Sequence, residues 1–112
     1  MVIREKQQRV FNEKFSTSFE DRMVVHLRAV FPHECGAQTD VQLRETVHRG
    51  IDRAAQYGVD TERDVCKFID LMMIHGPEFD QLPWAAKFLN DQVLRDGTAR
   101  IERVYVEARQ QP

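Results

Sequence analysis

The chain has 112 residues, which is the length of one domain and leaves no room for a second. Its 16 Lys and Arg and 18 Asp and Glu residues give a formal net charge of −2, which excludes a nucleic-acid-binding protein driven by bulk positive charge. Hydrophobic residues make up 42% and charged residues 30%, so the chain is globular and not disordered. No apolar run reaches the roughly 18 residues of a membrane span, and we expect no contact with a membrane.

The N-terminal residues are charged from Arg4 onward, so we expect no secretory signal and a cytoplasmic protein. Only two cysteines occur, Cys35 and Cys66, and two cysteines cannot staple a small secreted fold well. We interpret both as small apolar residues in buried or half-buried positions, and a disulfide is the weaker alternative.

Two helices are predicted at the start of the chain, over about 3–15 and 18–31. At about 100° per residue their apolar stripes point in different directions, so one straight helix cannot bury both. Thr17 followed by Glu20 has the spacing of a capping box, which predicts a break near Ser16. One long helix whose first half seeks a partner is the alternative. The apolar positions are Ile3, Val10, Phe11 and Phe15 in the first helix and Phe19, Met23, Leu27 and Val30 in the second.

The third helix has clear boundaries in the sequence. Pro32 ends the helix before it, and a loop leads to Thr39. Thr39 and Gln42 have capping-box spacing and begin a helix that reaches about Tyr57. Gly50 inside this helix costs up to about 1 kcal/mol relative to alanine, so we expect another helix to approach closely there.

The fourth helix is the most apolar segment of the chain. Gly58 predicts a left-handed cap before it, and Asp60 or Thr61 begins it. Eight of the ten residues Val65–Ile74 are apolar, which is more than a one-sided surface helix needs. We therefore expect a central helix over about 61–75, ended by the Gly-Pro pair that follows.

The sequence thus predicts an all-α protein, a compact bundle of five or six short helices in one domain over residues 1–112. Residues 1–17 are either a peripheral helix of this domain or a partner-binding helix. The remaining elements are a loop over 78–82, a helix over 84–94, a helix capped by Thr98 and a frayed polar tail over 109–112.

No grouping of residues along the chain predicts a metal site, a cofactor or a catalytic centre. The four histidines and two cysteines lack the paired spacing of a structural zinc site, and only His33, Glu34 and Cys35 are compact. Cys66 and His75 lie about 13 Å apart along one predicted helix, which is too far for proton transfer. We therefore expect no catalytic residue, no cofactor and no bound metal; a small enzyme or metal protein built on His33 and Cys35 is the weakest alternative.

Large apolar residues are the candidates for protein binding. Phe11 and Phe15 lie on an otherwise polar first helix, and Met73 offers a side chain that adapts to a core or to a groove. Phe79 and Trp84 flank a proline-bearing loop, and tryptophan is enriched at interfaces, although a single Trp in a small helical domain is more often a core residue. These five residues are the predicted partner-binding surface, and a homodimer through the first helix is a further possibility.

A further pattern of turn and core residues extends over about residues 19–105. It consists of Phe31-Pro32, Leu43–Val47, Gly50-Ile51, Ala54, Tyr57-Gly58-Val59, Glu62, Asp64-Val65, Phe68–Met72, Gly76, Phe79-Asp80 and Trp84-Ala85. In this pattern, which holds no catalytic signature, the chain resembles a family of small bacterial proteins encoded beside type VI secretion genes. The resemblance implies a gene context with effectors, adaptor chaperones and spike proteins, and a role like that of a co-chaperone.

We therefore expect a non-enzymatic protein-interaction module in the bacterial cytoplasm, acting with a secretion effector or its adaptor. An immunity-type inhibitor of a toxin is the alternative from a different class. The densest acidic stretch of the chain, over 60–80, could then face a basic cleft of the toxin, although acids at a helix start also favour the helix dipole.

Overall fold

Six α-helices carry the part of the chain that the computed structural model describes, residues 15–111. A single 3₁₀ turn spans Phe79–Gln81, and no strand occurs within this range. The all-α bundle is confirmed, and the predicted helix over 3–15, with Phe11, lies outside the described residues. The helices are α1 (Thr17–Val30), α2 (Pro32–Cys35), α3 (Asp40–Ala55), α4 (Glu62–His75), α5 (Pro83–Leu89) and α6 (Gly97–Ala108).

The central position of α4 is also confirmed. It packs against α1, α3, α6 and the 3₁₀ turn. Five of its apolar side chains are buried, namely Val65, Phe68, Ile69, Leu71 and Met72. The helix is not enclosed on every side, however, because Cys66 is only half-buried and Ile74 is 58% exposed. One side of α4 therefore reaches the surface, and the run of apolar residues in the sequence did not predict this exposure.

The close approach expected at Gly50 brings α3 against α4. A Cβ atom at this position would lie 2.4 Å from Cγ1 of Ile69 and 3.3 Å from Sδ of Met72. Only glycine leaves room for this contact, so the packing of the two helices offsets the helical cost of the residue.

Local capping explains where the first helices begin. The Thr39–Gln42 capping box is confirmed, with the Gln42 amide 3.1 Å from the Thr39 hydroxyl and the Thr39 amide 2.9 Å from the Gln42 side chain. The capping box predicted at Thr17 is wrong, because Ser16 is the N-cap of α1 and accepts from the Phe19 amide. Glu20 instead binds His48 on α3 at 2.8 Å.

Other boundaries differ from the sequence pattern. Pro32 ends α1 as expected but also occupies the first position of α2, where a loop was predicted. The predicted fifth helix stops at Leu89 instead of reaching residue 94, because Asn90 caps its C-terminus. Asp96 and not Thr98 caps α6, since its carboxylate accepts from the Ala99 amide at 2.8 Å.

Within residues 15–111, every helix is too short or too polar to cross a lipid bilayer.

Candidate functional site

A groove of about 350 Å³ lies between the last turns of α4 and α6. Ile74 keeps 58% of its surface exposed at this groove, while Leu71 at its floor is buried. Exposed apolar surface that borders a depression is typical of a site that another molecule covers. We call this depression the α4–α6 groove; its lining is Leu71, Ile74, His75, Tyr105, Ala108, Arg109 and Gln111.

The rim of the α4–α6 groove is aromatic and cationic. The Lys67 ammonium lies 5.6 Å from the ring centroid of Tyr105, and the Arg109 guanidinium carbon lies 5.9 Å from the same centroid. Trp84 packs edge-on against His75, with ring centroids 5.0 Å apart. Lys67 also lies 4.0 Å from the Glu102 carboxylate, so Arg109 is the cation of the groove lining that is left to attract negative charge.

Two of the five residues predicted to bind a partner lie inside the core. Phe79 is fully buried and packs edge-on against Phe68, with ring centroids 4.8 Å apart. Phe15 is 5% exposed and packs against Phe19, with centroids 5.0 Å apart. Both side chains stabilise the bundle and do not form the partner-binding surface that the sequence pattern predicted.

The other predicted residues do not share one surface. Trp84 is partly buried and borders the α4–α6 groove through its contact with His75. Met73 is also partly buried, but it lines a different depression beside Pro77. Phe11 lies outside the described residues. Of the four that the structure describes, only Trp84 is brought next to the groove, and Ile74, the most exposed apolar residue there, was missed.

The acidic stretch over 60–80 does not form a single face. An inhibitor that fills a basic cleft needs carboxylates free to meet it. Four of the six carboxylates here bind side chains of the chain itself: Glu62 binds Arg22, Asp64 binds Thr98, Asp70 binds His26, and Asp80 binds Arg53 and Tyr57.

The Asp80 carboxylate is held in the core by two other elements. Arg53 donates to its Oδ1 at 2.6 Å, and the Tyr57 hydroxyl donates to its Oδ2 at 2.7 Å. Burial, followed by the hydrogen bond to Asp80, raises the pKa of Tyr57 to about 12. This network ties the 3₁₀ turn to the end of α3 and links two parts of the core.

A second cluster of polar side chains lies between α1 and α4. His26 Nε2 is 2.9 Å from Asp70 Oδ1 and 3.7 Å from Cys66 Sγ. We call these three residues the His26 cluster; all are half-buried, and one ligand atom from each lies within 4.8 Å of the others. Beside them opens a cleft of about 330 Å³ that His26 and Cys66 help to line.

The His26 cluster is not arranged as a nucleophilic triad. Such a triad uses both ring nitrogens of histidine, one toward the nucleophile and one toward the carboxylate. Here the thiol and the carboxylate face the same nitrogen, Nε2. Burial first, and the neighbouring Asp70 second, raise the pKa of the Cys66 thiol to about 11, so a neutral solution holds it as an unreactive thiol. Burial also raises the pKa of Asp70, while His26 acts in the opposite direction.

Sequence reasoning missed this cluster, because His26 and Cys66 lie 40 residues apart. The one available signal was the four-residue spacing of Cys66 and Asp70, which places both on one face of a helix.

His33 and Cys35, the pair that lies close together in the sequence, do not form a site in the structure. Cys35 is buried and donates to the Leu27 carbonyl, and His33 is exposed. Both cysteines are free thiols, as expected.

Comparison of the chain with protein families, with curated proteins and with solved structures found no match. The function is therefore argued from the α4–α6 groove and from the chemistry of the side chains around it.

Proposed function

We propose that the protein is a non-enzymatic protein-interaction module that binds a partner helix in the α4–α6 groove. The observation that carries this proposal is that the Ile74 side chain, beside the groove, is 58% exposed. The other large aliphatic side chains of α4 are buried, except Met73, which is half-buried. A partner that covers Ile74 removes its apolar surface from water, which contributes about 25 cal/mol per Å² buried.

The rim of the groove specifies the chemistry of the partner. Arg109 lines the groove beside Tyr105, so negative charge on the partner is favoured next to it, whereas Lys67 already lies 4.0 Å from Glu102. The occupant is an amphipathic helix that places two or more apolar side chains over Ile74 and Ala108 and carries Asp or Glu beside them. Trp84 then contacts the partner at the edge of the interface, next to His75.

The resemblance noted above adds the class of partner. We propose a type VI secretion effector or its adaptor chaperone, which the protein accompanies as a co-chaperone in the bacterial cytoplasm. No reaction is part of this role.

The test is binding of the purified full chain to the type VI effectors and effector adaptors of the bacterium that encodes it, measured by calorimetry. Ile74→Glu is expected to abolish binding, because it buries an unpaired carboxylate in the interface. Val41→Glu is the matched control, since Val41 is 67% exposed and lies outside the groove. Equal loss with both variants, or binding that survives Ile74→Glu, contradicts the proposal.

Toxicity assays separate this function from that of an immunity protein. A co-chaperone is expected to bind the effector or adaptor without protecting cells that produce the active toxin. Protection of those cells, together with inhibition of the purified toxin, establishes the immunity function instead.

A further inference from the structure

We propose that His26, Cys66 and Asp70 together bind a Zn²⁺ ion between α1 and α4. This site is independent of the proposed function, because no residue of the cluster lines the α4–α6 groove.

The His26 nitrogen stands close to the separation that a zinc ion requires from each of the other two donors. With zinc–ligand bonds of about 2.0 to 2.3 Å, neighbouring donors around a tetrahedral ion lie roughly 3.3 to 3.6 Å apart. The Nε2 atom of His26 lies 3.7 Å from the Cys66 sulfur and 2.9 and 3.2 Å from the two Asp70 oxygens. The third pair of donors, the Cys66 sulfur and an Asp70 oxygen, lies within 4.8 Å and closes toward the tetrahedral separation when the ion binds.

The backbone places the three ligands without distortion. Cys66 and Asp70 are four residues apart on α4, so they project from the same face. His26 projects from α1, which runs in the same direction as α4: the Arg22–Glu62 pair precedes the His26–Asp70 pair along both helices. Three ligands on two regular helices form a more rigid site than three ligands on loops.

The convergence of all three groups on one nitrogen also favours a cation. The Nε2 atom carries at most one hydrogen, so it can serve only one of its two neighbours as a donor. A divalent ion satisfies the imidazole, the thiolate and the carboxylate at once. Its two positive charges are neutralised by Cys66 and Asp70, which makes the site neutral and suited to a half-buried position.

The mixture of donors selects the metal. A sulfur ligand disfavours Mg²⁺ and Ca²⁺, which take oxygen ligands, and a sulfur, nitrogen and oxygen set suits Zn²⁺. Three protein ligands leave one position of a tetrahedral ion free for a water molecule. The cleft that His26 and Cys66 help to line adjoins the site. The two arginines of the cleft do not oppose the ion strongly, because Arg22 is paired with Glu62 and Arg63 lies 3.7 Å from Asp64.

Binding replaces one proton with the metal. The Cys66 thiol releases its proton to the buffer as the sulfur–zinc bond forms, while the His26 imidazole and the Asp70 carboxylate donate lone pairs. The ion then cross-links α1 to the central helix.

The test uses the metal-free full chain with Zn²⁺ in calorimetry and with Co²⁺ in absorption spectroscopy. One ion per chain is expected, and Co²⁺ is expected to show thiolate-to-metal charge-transfer absorption that Zn²⁺ abolishes. Absence of Zn²⁺ binding, or Co²⁺ binding without the thiolate absorption, overturns the proposal. This measurement needs no variant, so a substitution that impairs folding does not affect it.

Variants then assign the ligands. Cys66→Ala and His26→Ala are each expected to weaken Zn²⁺ binding by at least about 100-fold, since even residues behind the ligands contribute 10- to 100-fold. Cys35→Ala and His33→Ala are the matched controls, and they are expected to leave the affinity unchanged. Equal affinity in the Cys66→Ala chain places the ion elsewhere on the surface and contradicts the site.

Discussion

The Tyr57 hydroxyl donates a 2.7 Å hydrogen bond to Asp80 Oδ2 inside the core, joining the end of the third helix to the 3₁₀ turn. Asp80 is only 2% exposed, and Arg53 supplies the positive charge that compensates its carboxylate. The interaction connects parts of the chain 23 residues apart, so it reports on the assembled tertiary structure.

Removal of this hydroxyl is expected to destabilise the protein. Tyr57→Phe leaves the buried Asp80 oxygen with one weaker partner, Gln81 at 3.2 Å, and is expected to lower the free energy of unfolding by about 1 to 3 kcal/mol in urea titrations. Tyr105→Phe, which alters a half-buried ring at the surface, is the control and is expected to cost less.

The same pair predicts a dependence on alkaline pH. The folded protein holds the Tyr57 proton up to a pKa of about 12, above the ordinary value of 10.0. The stability due to this proton is therefore complete below pH 10 and is lost as the pH rises through about 12. Between about pH 9 and pH 12, the free energy of unfolding is expected to decline more steeply in the wild type than in Tyr57→Phe. Parallel declines would falsify this assignment.

Gly50→Ala is expected to lower stability although alanine favours helices. The new Cβ would overlap Cγ1 of Ile69, and overpacking of a core costs about 1 to 3 kcal/mol, more than the roughly 1 kcal/mol that alanine contributes in a helix. Thermal unfolding provides the measurement. The double variant Gly50→Ala, Ile69→Ala is expected to lose less than the sum of the two single variants, and strict additivity contradicts the contact.

Substitution at the start of α1 distinguishes the observed cap from the one that the sequence pattern favoured. Ser16→Ala is expected to cost about 1 kcal/mol, because the Phe19 amide loses its acceptor. Thr17→Ala, at the next residue, is expected to change stability by less than about 0.5 kcal/mol, as exposed positions without such a role do. Denaturant titrations of the two variants measure the loss in the free energy of unfolding. A larger loss for Thr17→Ala than for Ser16→Ala would identify Thr17 as the cap.

The proposed zinc site predicts stabilisation by the metal. An ion that binds only the folded chain stabilises it by about 2.7 kcal/mol at a free concentration 100 times its Kd. Zn²⁺ is therefore expected to raise the Tm of the wild type, and a chelator is expected to reverse the rise. The Asp70→Asn variant is expected to show a much smaller shift, whereas Asp91→Asn, an exchange far from the cluster, is expected to respond like the wild type.

Much of the fold could be predicted because its signals are local. The Thr39–Gln42 capping box, the positive φ of 78° at Gly58 and the end of α4 before Gly76 depend on hydrogen bonds between residues a few positions apart. The apolar run at Val65–Ile74 placed the central helix correctly, since nearly all of such a helix must leave water. The predicted fifth helix failed because Val93 and Leu94 continue the apolar pattern although Asn90 ends the helix.

The sequence by itself determined the four longer helices and predicted the close packing at Gly50, because chain-local geometry and hydrophobicity set them. Only the tertiary structure decided that Phe79 is enclosed while Ile74 is exposed, since exposure depends on which helices cover a residue. It also brought His26 to Cys66 and Asp70. Side chains 40 residues apart meet only after the helices pack, and no pattern along the chain encodes that distance.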